Sequence, residues 1–228
     1  YALAAAIIAA ATGLLYRASV AIGDAEAAAR DRQRGFLRGA LIWVATVSGV
    51  SFAGGLDPQQ RPPVLFVVML ASILTLGITI ARSGSGRCLA RGLPLSVLVG
   101  FQAFRLPLEL AMHRAYTEGL MPVQMSYSGR NFDIVTGITA LILGVALAVG
   151  NVPTWVVRAW NVLGLALLAN ILGVALLSTP VFAYFGPDRL NVFVTRMPYT
   201  LLPTVMVLAA WAGHLIVFRA LKDRGGHA

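Results

Sequence analysis

Long apolar runs separated by short polar segments make up most of the chain. Each run is close to the roughly 20 residues that an α-helix needs to cross the hydrocarbon core of a bilayer. We therefore predict an all-α fold, a single transmembrane helical domain over residues 1–228 with about seven spans. The predicted spans lie near Tyr1–Ile22, Gly35–Ala53, Pro62–Ala81, from Pro94 into a polar segment, Phe132–Gly150, Trp155–Leu177 and Pro198–Leu221.

Turn-forming and charged residues mark the connections between these runs. Gly23–Arg38 is predicted to be a charged connector with a short surface helix near Ala25–Ala29. The paired prolines Pro62-Pro63 open the third span. Ser83–Gly86 is predicted to be a flexible turn, because serine and glycine favour such turns. Phe185–Asp188 is predicted to be a turn before the last span.

The composition also indicates a membrane protein. Hydrophobic residues make up 58% of the chain and charged residues 12%. Soluble domains, by comparison, carry roughly 25% charged residues. The net charge is +9, but the cations lie between apolar runs. Contacts to anionic lipid headgroups of the bilayer therefore explain them better than nucleic acid, which is not a predicted partner.

The arginines also predict an orientation. Positive charge is concentrated in the connections after the first and third spans and in the segment after the seventh. Positively charged loops favour the cytoplasmic side, so this alternation predicts an external amino end, a cytoplasmic carboxyl end and residence in a bacterial cytoplasmic membrane. A six-span model would need a re-entrant fourth segment, which Pro107 permits.

Small residues recur four positions apart on two predicted helices. Gly35 and Gly39 lie at the start of the second span, and Ala140, Gly144 and Ala148 lie on the fifth. Small residues let helix backbones approach closely in membranes. We therefore predict close helix packing at both places.

The fourth span carries an unusual stripe of polar residues. Arg105, Glu109 and His113 follow one another at intervals of four, so they share one helix face with Tyr116. A charged residue near the bilayer centre costs roughly 2.5–3.5 kcal/mol. These side chains are therefore expected to face the bundle interior.

Other polar residues are predicted to join this stripe in an outward-facing pocket that binds or translocates a small polar or anionic solute. Asn161 and Asn170 are expected to add hydrogen bonds deeper in the bundle. In this interpretation the arginines supply positive charge, Glu109 and Asp133 orient them, and His113 is the pH-sensitive member. The predicted ligand-binding residues are Arg105, Glu109, His113, Tyr116, Arg130, Asn131, Asp133 and Arg196.

Three alternatives stay open at this stage. The charged residues can be internal ion pairs, Arg105 with Glu109 and Arg130 with Asp133, that fix helix register. The chain can be a structural or accessory subunit whose partners are other membrane subunits. It can also be an intramembrane enzyme that uses Glu109 and His113 as acid and base, or a proton or ion path through Glu109, His113 and Asp133. No motif with metal-ligand spacing occurs, and no cofactor is predicted.

Four strings, FRLPLEL (Phe104–Leu110), GRNFD (Gly129–Asp133), WNVLGL (Trp160–Leu165) and MPYTLLP (Met197–Pro203), carry a resemblance. They resemble strings of an uncharacterised family of small bacterial polytopic membrane proteins with about seven helices. The resemblance covers the chain from about Gln102 onward. It implies no activity, but it implies that these polar strings belong to one site or one structural lock.

Overall fold

In the computed structural model, which describes residues 1–57 and 64–225, the secondary structure is helical, with no strand among these residues. Single turns of 3-10 helix lie at Gln102–Phe104, Val123–Met125, Pro187–Arg189 and Phe193–Thr195. A π-helical segment, Leu202–Val207, leads into the last helix. The α-helices are α1 (Ala2–Ala21), α2 (Glu26–Phe52), α3 (Val64–Arg82), α4 (Gly84–Gly92), α5 (Leu95–Phe101), α6 (Arg105–Thr117), α7 (Ile134–Val149), α8 (Thr154–Leu177) and α9 (Leu208–Gly225).

Six helical segments of the described residues are long and apolar enough to cross a bilayer. They are α1, α2, α3, the combined segment Leu95–Thr117, α8 and Leu202–Arg224. Helix α7 is apolar but shorter, and at about 1.5 Å per residue it is roughly 24 Å long. The hydrocarbon core of a bilayer is about 30 Å thick. The predicted all-α architecture is therefore confirmed, with six segments suited to cross a membrane.

Charged residues meet at one end of the bundle, which we call the basic end. The Ser19 hydroxyl of α1 lies 3.2 Å from the Cys88 sulfur of α4, and Arg32 of α2 donates to Ser19. Arg91 of α4 pairs with Asp223 of α9 at 2.9 Å. The segments in which the sequence concentrates arginine therefore lie at the same end of the protein.

Two long connections, residues 118–133 and 178–201, cover the opposite end, which we call the loop end. The Gln124 amide of the first connection donates to the Ser178 hydroxyl at 3.0 Å and to the Arg189 carbonyl at 2.7 Å in the second. Ser51, near the end of α2, donates to the Thr195 carbonyl. These bonds join the two connections to each other and to the bundle.

Helix α2 corrects the predicted second span. The expected surface helix at Ala25–Ala29 and the span from Gly35 are parts of one continuous helix that begins at Glu26. No proline interrupts this stretch. A single glycine in a helix costs only about 1 kcal/mol. Glu26 also pairs with Arg30 one turn later, which supports the first turns.

Helix α4 corrects the predicted flexible turn at Ser83–Gly86. The Ser83 hydroxyl accepts a bond from the Gly86 backbone N–H, so Ser83 is the N-cap of a helix. A Cβ at Gly86 would lie 2.3 Å from the Ile80 carbonyl oxygen, and one at Gly92 would lie 2.3 Å from the Ala18 carbonyl oxygen. The glycines therefore serve close backbone packing instead of flexibility.

The ends of the third and seventh predicted spans also differ from expectation. The predicted opening of the third span at Pro62-Pro63 lies outside the described residues. The seventh span is helical to Gly225, so the predicted polar segment from Lys222 continues α9 for one more turn. The predicted turn at Phe185–Asp188 is confirmed, with Gly186 at φ 96°.

Candidate functional site

Close packing of α7 against the start of α6 positions the polar residues of the site. Pro107 has no backbone N–H to bond the Ala103 carbonyl, and a turn of 3-10 helix, Gln102–Phe104, separates α5 from α6 at this point. A Cβ at Gly137 of α7 would lie 2.5 Å from the Leu106 nitrogen. Glycine is therefore required for this approach, which brings the residue before α7, Asp133, within reach of Arg105.

Arg105 forms a buried ion pair with Asp133. Its Nη1 lies 2.8 Å from Asp133 Oδ1, and the two residues are 0% and 4% exposed. The Thr136 hydroxyl donates to the same carboxylate oxygen at 3.2 Å. The alternative in which Arg105 pairs with Glu109 and Arg130 with Asp133 is therefore wrong. The close approach of α7 brings Asp133, the residue before this helix, to Arg105.

Glu109 has a different partner from the one that helix spacing indicates. The Asn131 amide donates to Glu109 Oε2 at 2.7 Å and to the Met125 carbonyl at 3.1 Å. The Asn131 carbonyl oxygen accepts the backbone N–H of Asp133. Asn131 therefore connects the Glu109 carboxylate to the backbone of Asp133, and both Glu109 and Asn131 are buried.

A second buried polar pair lies behind Arg105, and its histidine, His214, is not among the residues predicted for the site. The His214 Nδ1 of α9 lies 2.7 Å from Asn161 Oδ1 of α8, and the Asn161 amide donates to the His214 carbonyl. Gly164 separates this pair from Arg105: its carbonyl accepts a long 3.5 Å bond from Arg105, and a Cβ there would lie 2.4 Å from the His214 ring. The sequence did contain one signal for His214, which is a histidine inside an otherwise apolar predicted span.

A cavity of about 300 Å³ adjoins the buried ion pair. Its polar lining comprises Arg105, Glu109, Asn131, Asp133 and Asn191. Apolar side chains of α3, α6, α8 and the π-helical segment form most of the remaining walls, together with Gly173 and Pro203. Such π-helical turns occur frequently at functional sites.

Part of the Arg105 guanidinium has no partner in the described part of the chain. Its Nη1 is bonded, but Nε and Nη2 have no hydrogen-bond acceptor among the described residues. The Asn191 carbonyl oxygen at the same cavity is likewise buried without a partner in this part of the chain. Because an unsatisfied buried polar group costs about 1–3 kcal/mol, the Arg105 nitrogens favour a partner that accepts hydrogen bonds and the Asn191 oxygen favours one that donates.

His113 and Tyr116 form a separate cluster beside the loop end. The His113 Nδ1 lies 3.0 Å from the Ser126 hydroxyl and 3.1 Å from the Ser128 hydroxyl. The Tyr127 ring stacks on the imidazole with centroids 4.3 Å apart, and Tyr116 lies on another side. This cluster fastens the 118–133 connection to α6 and does not line the cavity.

The other two arginines predicted for the site lie at the loop end, away from the cavity. The Arg130 guanidinium lies over the Phe185 ring, 5.4 Å from its centroid. The Arg130 backbone carbonyl accepts the Asn170 amide. Arg196 does not line the cavity and is exposed.

The structure therefore joins four predicted site residues at the cavity: Arg105, Glu109, Asn131 and Asp133. The other four, His113, Tyr116, Arg130 and Arg196, lie elsewhere at the loop end. Within the described residues, no group of three or more His, Cys, Asp or Glu side chains has a metal-binding arrangement.

Comparisons of the chain with protein-family models, curated proteins and solved structures found no match. The resemblance to small bacterial polytopic membrane proteins therefore stays a prediction.

Proposed function

We propose that this chain is an integral membrane protein of about seven spans that binds or translocates a small solute, and that the solute occupies the cavity beside Arg105. The residues that contact the solute are Arg105, Glu109, Asn131 and Asp133. His113 and Tyr116 hold the 118–133 connection in place, and Arg130 and Arg196 give the outer surface of the two loop-end connections positive charge.

The observation that supports this proposal is a fully buried guanidinium with two unused donors at the wall of a cavity. A structural lock satisfies its own polar groups, because each unsatisfied one costs free energy. Here the pair with Asp133 uses only one side of the guanidinium, and no acceptor among the described residues bonds the other side.

The proposed orientation has an external amino end and a cytoplasmic carboxyl end in a bacterial cytoplasmic membrane. The arginines of α2, α4 and α9 meet at the basic end, which the positive-inside rule assigns to the cytoplasm. The cavity is lined in part by Met125 and Asn131 of one loop-end connection and by Asn191 and Phe193 of the other. In this orientation these connections cover the cavity from outside.

Thermal unfolding in detergent, with and without a panel of small anions, polar metabolites and amphiphiles, tests the proposal. We expect at least one compound to raise the melting temperature of the parent but not that of Glu109→Gln. Asp223→Asn at the basic end is the matched control, and it should keep the ligand-dependent shift. If no compound shifts the parent and Glu109→Gln alone lowers stability sharply, the buried residues are a structural ion-pair network.

A second function, that of an accessory subunit in a membrane complex, is favoured by one surface of α2. Gly35 and Gly39 form a GxxxG motif. No heavy atom of the described residues lies within 4 Å of a Cβ built at either position. Both glycines line an apolar cavity between α1, α2, α3 and α9, and a helix from another subunit that packed into its opening would supply the close packing predicted for them. Co-purification of a membrane protein with the parent, and its loss with Gly39→Leu, would support this function.

A further inference from the structure

We propose that the ligand of the cavity is a neutral amphiphile, with an apolar body and a small uncharged head that bears acceptor oxygens, and that it enters from the bilayer between α3 and α8. This inference rests on the proposed binding function and narrows the class of solute. It departs from the small polar or anionic solute that the sequence predicts.

The apolar body follows from the cavity walls. Away from Arg105, its polar neighbours and Asn191, the lining consists of leucine, isoleucine, valine, methionine, phenylalanine and alanine side chains together with Gly173 and Pro203. A hydrophilic solute would lose its hydration here without gaining bonds on most of its surface. An apolar body contributes about 25 cal/mol for each Å² that it buries.

The uncharged head follows from the charges at the polar end. One guanidinium, that of Arg105, lies with two carboxyl groups, those of Glu109 and Asp133. An anionic head would add a negative charge beside these carboxyl groups, and a cationic head would face the unused Arg105 donors. A hydroxyl head suits both Arg105 and Glu109, because it can accept a hydrogen bond from the first and donate one to the second.

The entry route follows from exposure at the mouth of the cavity. Leu74 of α3 and Leu176 of α8 both line the cavity, yet they are 42% and 43% exposed. The cavity therefore reaches the apolar outer surface of the bundle between these two helices. A molecule dissolved in the bilayer can enter there with its head toward Arg105 and leave the end of a longer chain in the lipid.

Photolabelling in lipid nanodiscs tests this inference. The probe is a long-chain primary alcohol with a diazirine in its chain, and the adducts are located by mass spectrometry. We expect labelling on Met69, Leu168 and neighbouring cavity residues, and we expect excess dodecanol to reduce it. Ionised dodecanoate and dodecane should compete at least tenfold less well, which corresponds to about 1.4 kcal/mol.

Two matched glycine variants locate the labelled site. Gly173→Leu places a side chain in the cavity, because a Cβ there has no heavy atom of the described residues within 4 Å. Gly39→Leu does the same in a second, apolar cavity of about 320 Å³ between α1, α2, α3 and α9. Labelling of the cavity beside Arg105 should fall with Gly173→Leu and persist with Gly39→Leu.

The outcomes separate this inference from the function on which it rests. If dodecanoate competes as well as dodecanol, the head is not required to be neutral and the inference is overturned, while the binding function stands. The inference is also overturned, and the binding function again stands, if a hydrophilic solute raises the melting temperature of the parent and the alcohol does not label the cavity. If no probe labels the cavity and no compound stabilises the parent, both proposals are overturned.

Discussion

Substitution of Asp133 by asparagine provides the sharpest test of the buried ion pair. Asp133→Asn keeps the size of the side chain but removes the only salt-bridge partner of Arg105 in the described part of the chain. Removing one partner of a buried pair costs about 3–5 kcal/mol, because it leaves an uncompensated buried charge. Glu109 lies one turn along α6 and partly compensates Arg105, so we expect a loss near the lower limit, about 3 kcal/mol.

Equilibrium unfolding in mixed micelles of SDS and a non-ionic detergent measures this loss. Glu118→Gln is the matched control, because it removes one member of the exposed pair Arg114–Glu118. Exposed helix pairs of this spacing contribute only about 0.3–0.5 kcal/mol. The double variant Arg105→Met with Asp133→Leu replaces the buried pair by apolar side chains. It should recover most of the lost stability, since such replacements are often neutral.

The control and the double variant also define the refuting result. If Asp133→Asn costs no more than the roughly 0.5 kcal/mol expected for Glu118→Gln, Arg105 does not carry a buried charge that depends on Asp133. If the double variant is no more stable than Asp133→Asn, the loss comes from packing and not from an unpaired charge.

Further predictions concern single contacts. Asn161→Ala should lower the free energy of unfolding by about 1–3 kcal/mol, because it leaves His214 without its partner. Asn170→Ala, at an exposed position, should lower it by less. Gly164→Ala should cost about 1–3 kcal/mol, since its Cβ would overlap the His214 ring. Gly13→Ala, in open space within α1, should instead raise stability by about 0.5–1 kcal/mol. Ser83→Ala should cost about 1 kcal/mol through loss of the α4 N-cap, and Ser83→Asn should retain most of that stability. Chemical unfolding in mixed micelles measures all of these changes, and equal effects for a variant and its control would contradict the corresponding contact.

The apolar runs predicted the architecture well because in a bilayer every backbone polar group must be satisfied internally, which leaves helices as the simplest solution. The pattern also located the polar residues on the inner face of one helix. The pattern did not predict where the charged connector after the first span ends and the second helix begins. The composition of Gly23–Arg38 indicates a charged connector with only a short surface helix, yet α2 continues through most of it, since charged side chains do not interrupt a helix.

The partners of the buried charges depend on tertiary packing that no local spacing encodes. Glu109 is one helical turn from Arg105 and is the partner that local spacing indicates. Gly137 lets α7 approach α6 closely, and Arg105 therefore forms its ion pair with Asp133. His214 lies on the last helix, far from Arg105 along the chain, and the only signal for it was an unexplained polar residue in an apolar run. The apolar walls of the cavity come from helices whose sequences, taken singly, indicate only contact with lipid.

Cryo-electron microscopy at high resolution of the parent and of Gly173→Leu in lipid nanodiscs tests whether the cavity binds a ligand. We expect non-protein density in the cavity of the parent, with acceptor atoms within about 3 Å of Arg105 Nε and Nη2, and loss of that density in the variant. A closed, dry cavity in which protein groups satisfy both nitrogens would contradict this expectation. In that case the buried charges are a structural lock, and the function lies with partner subunits.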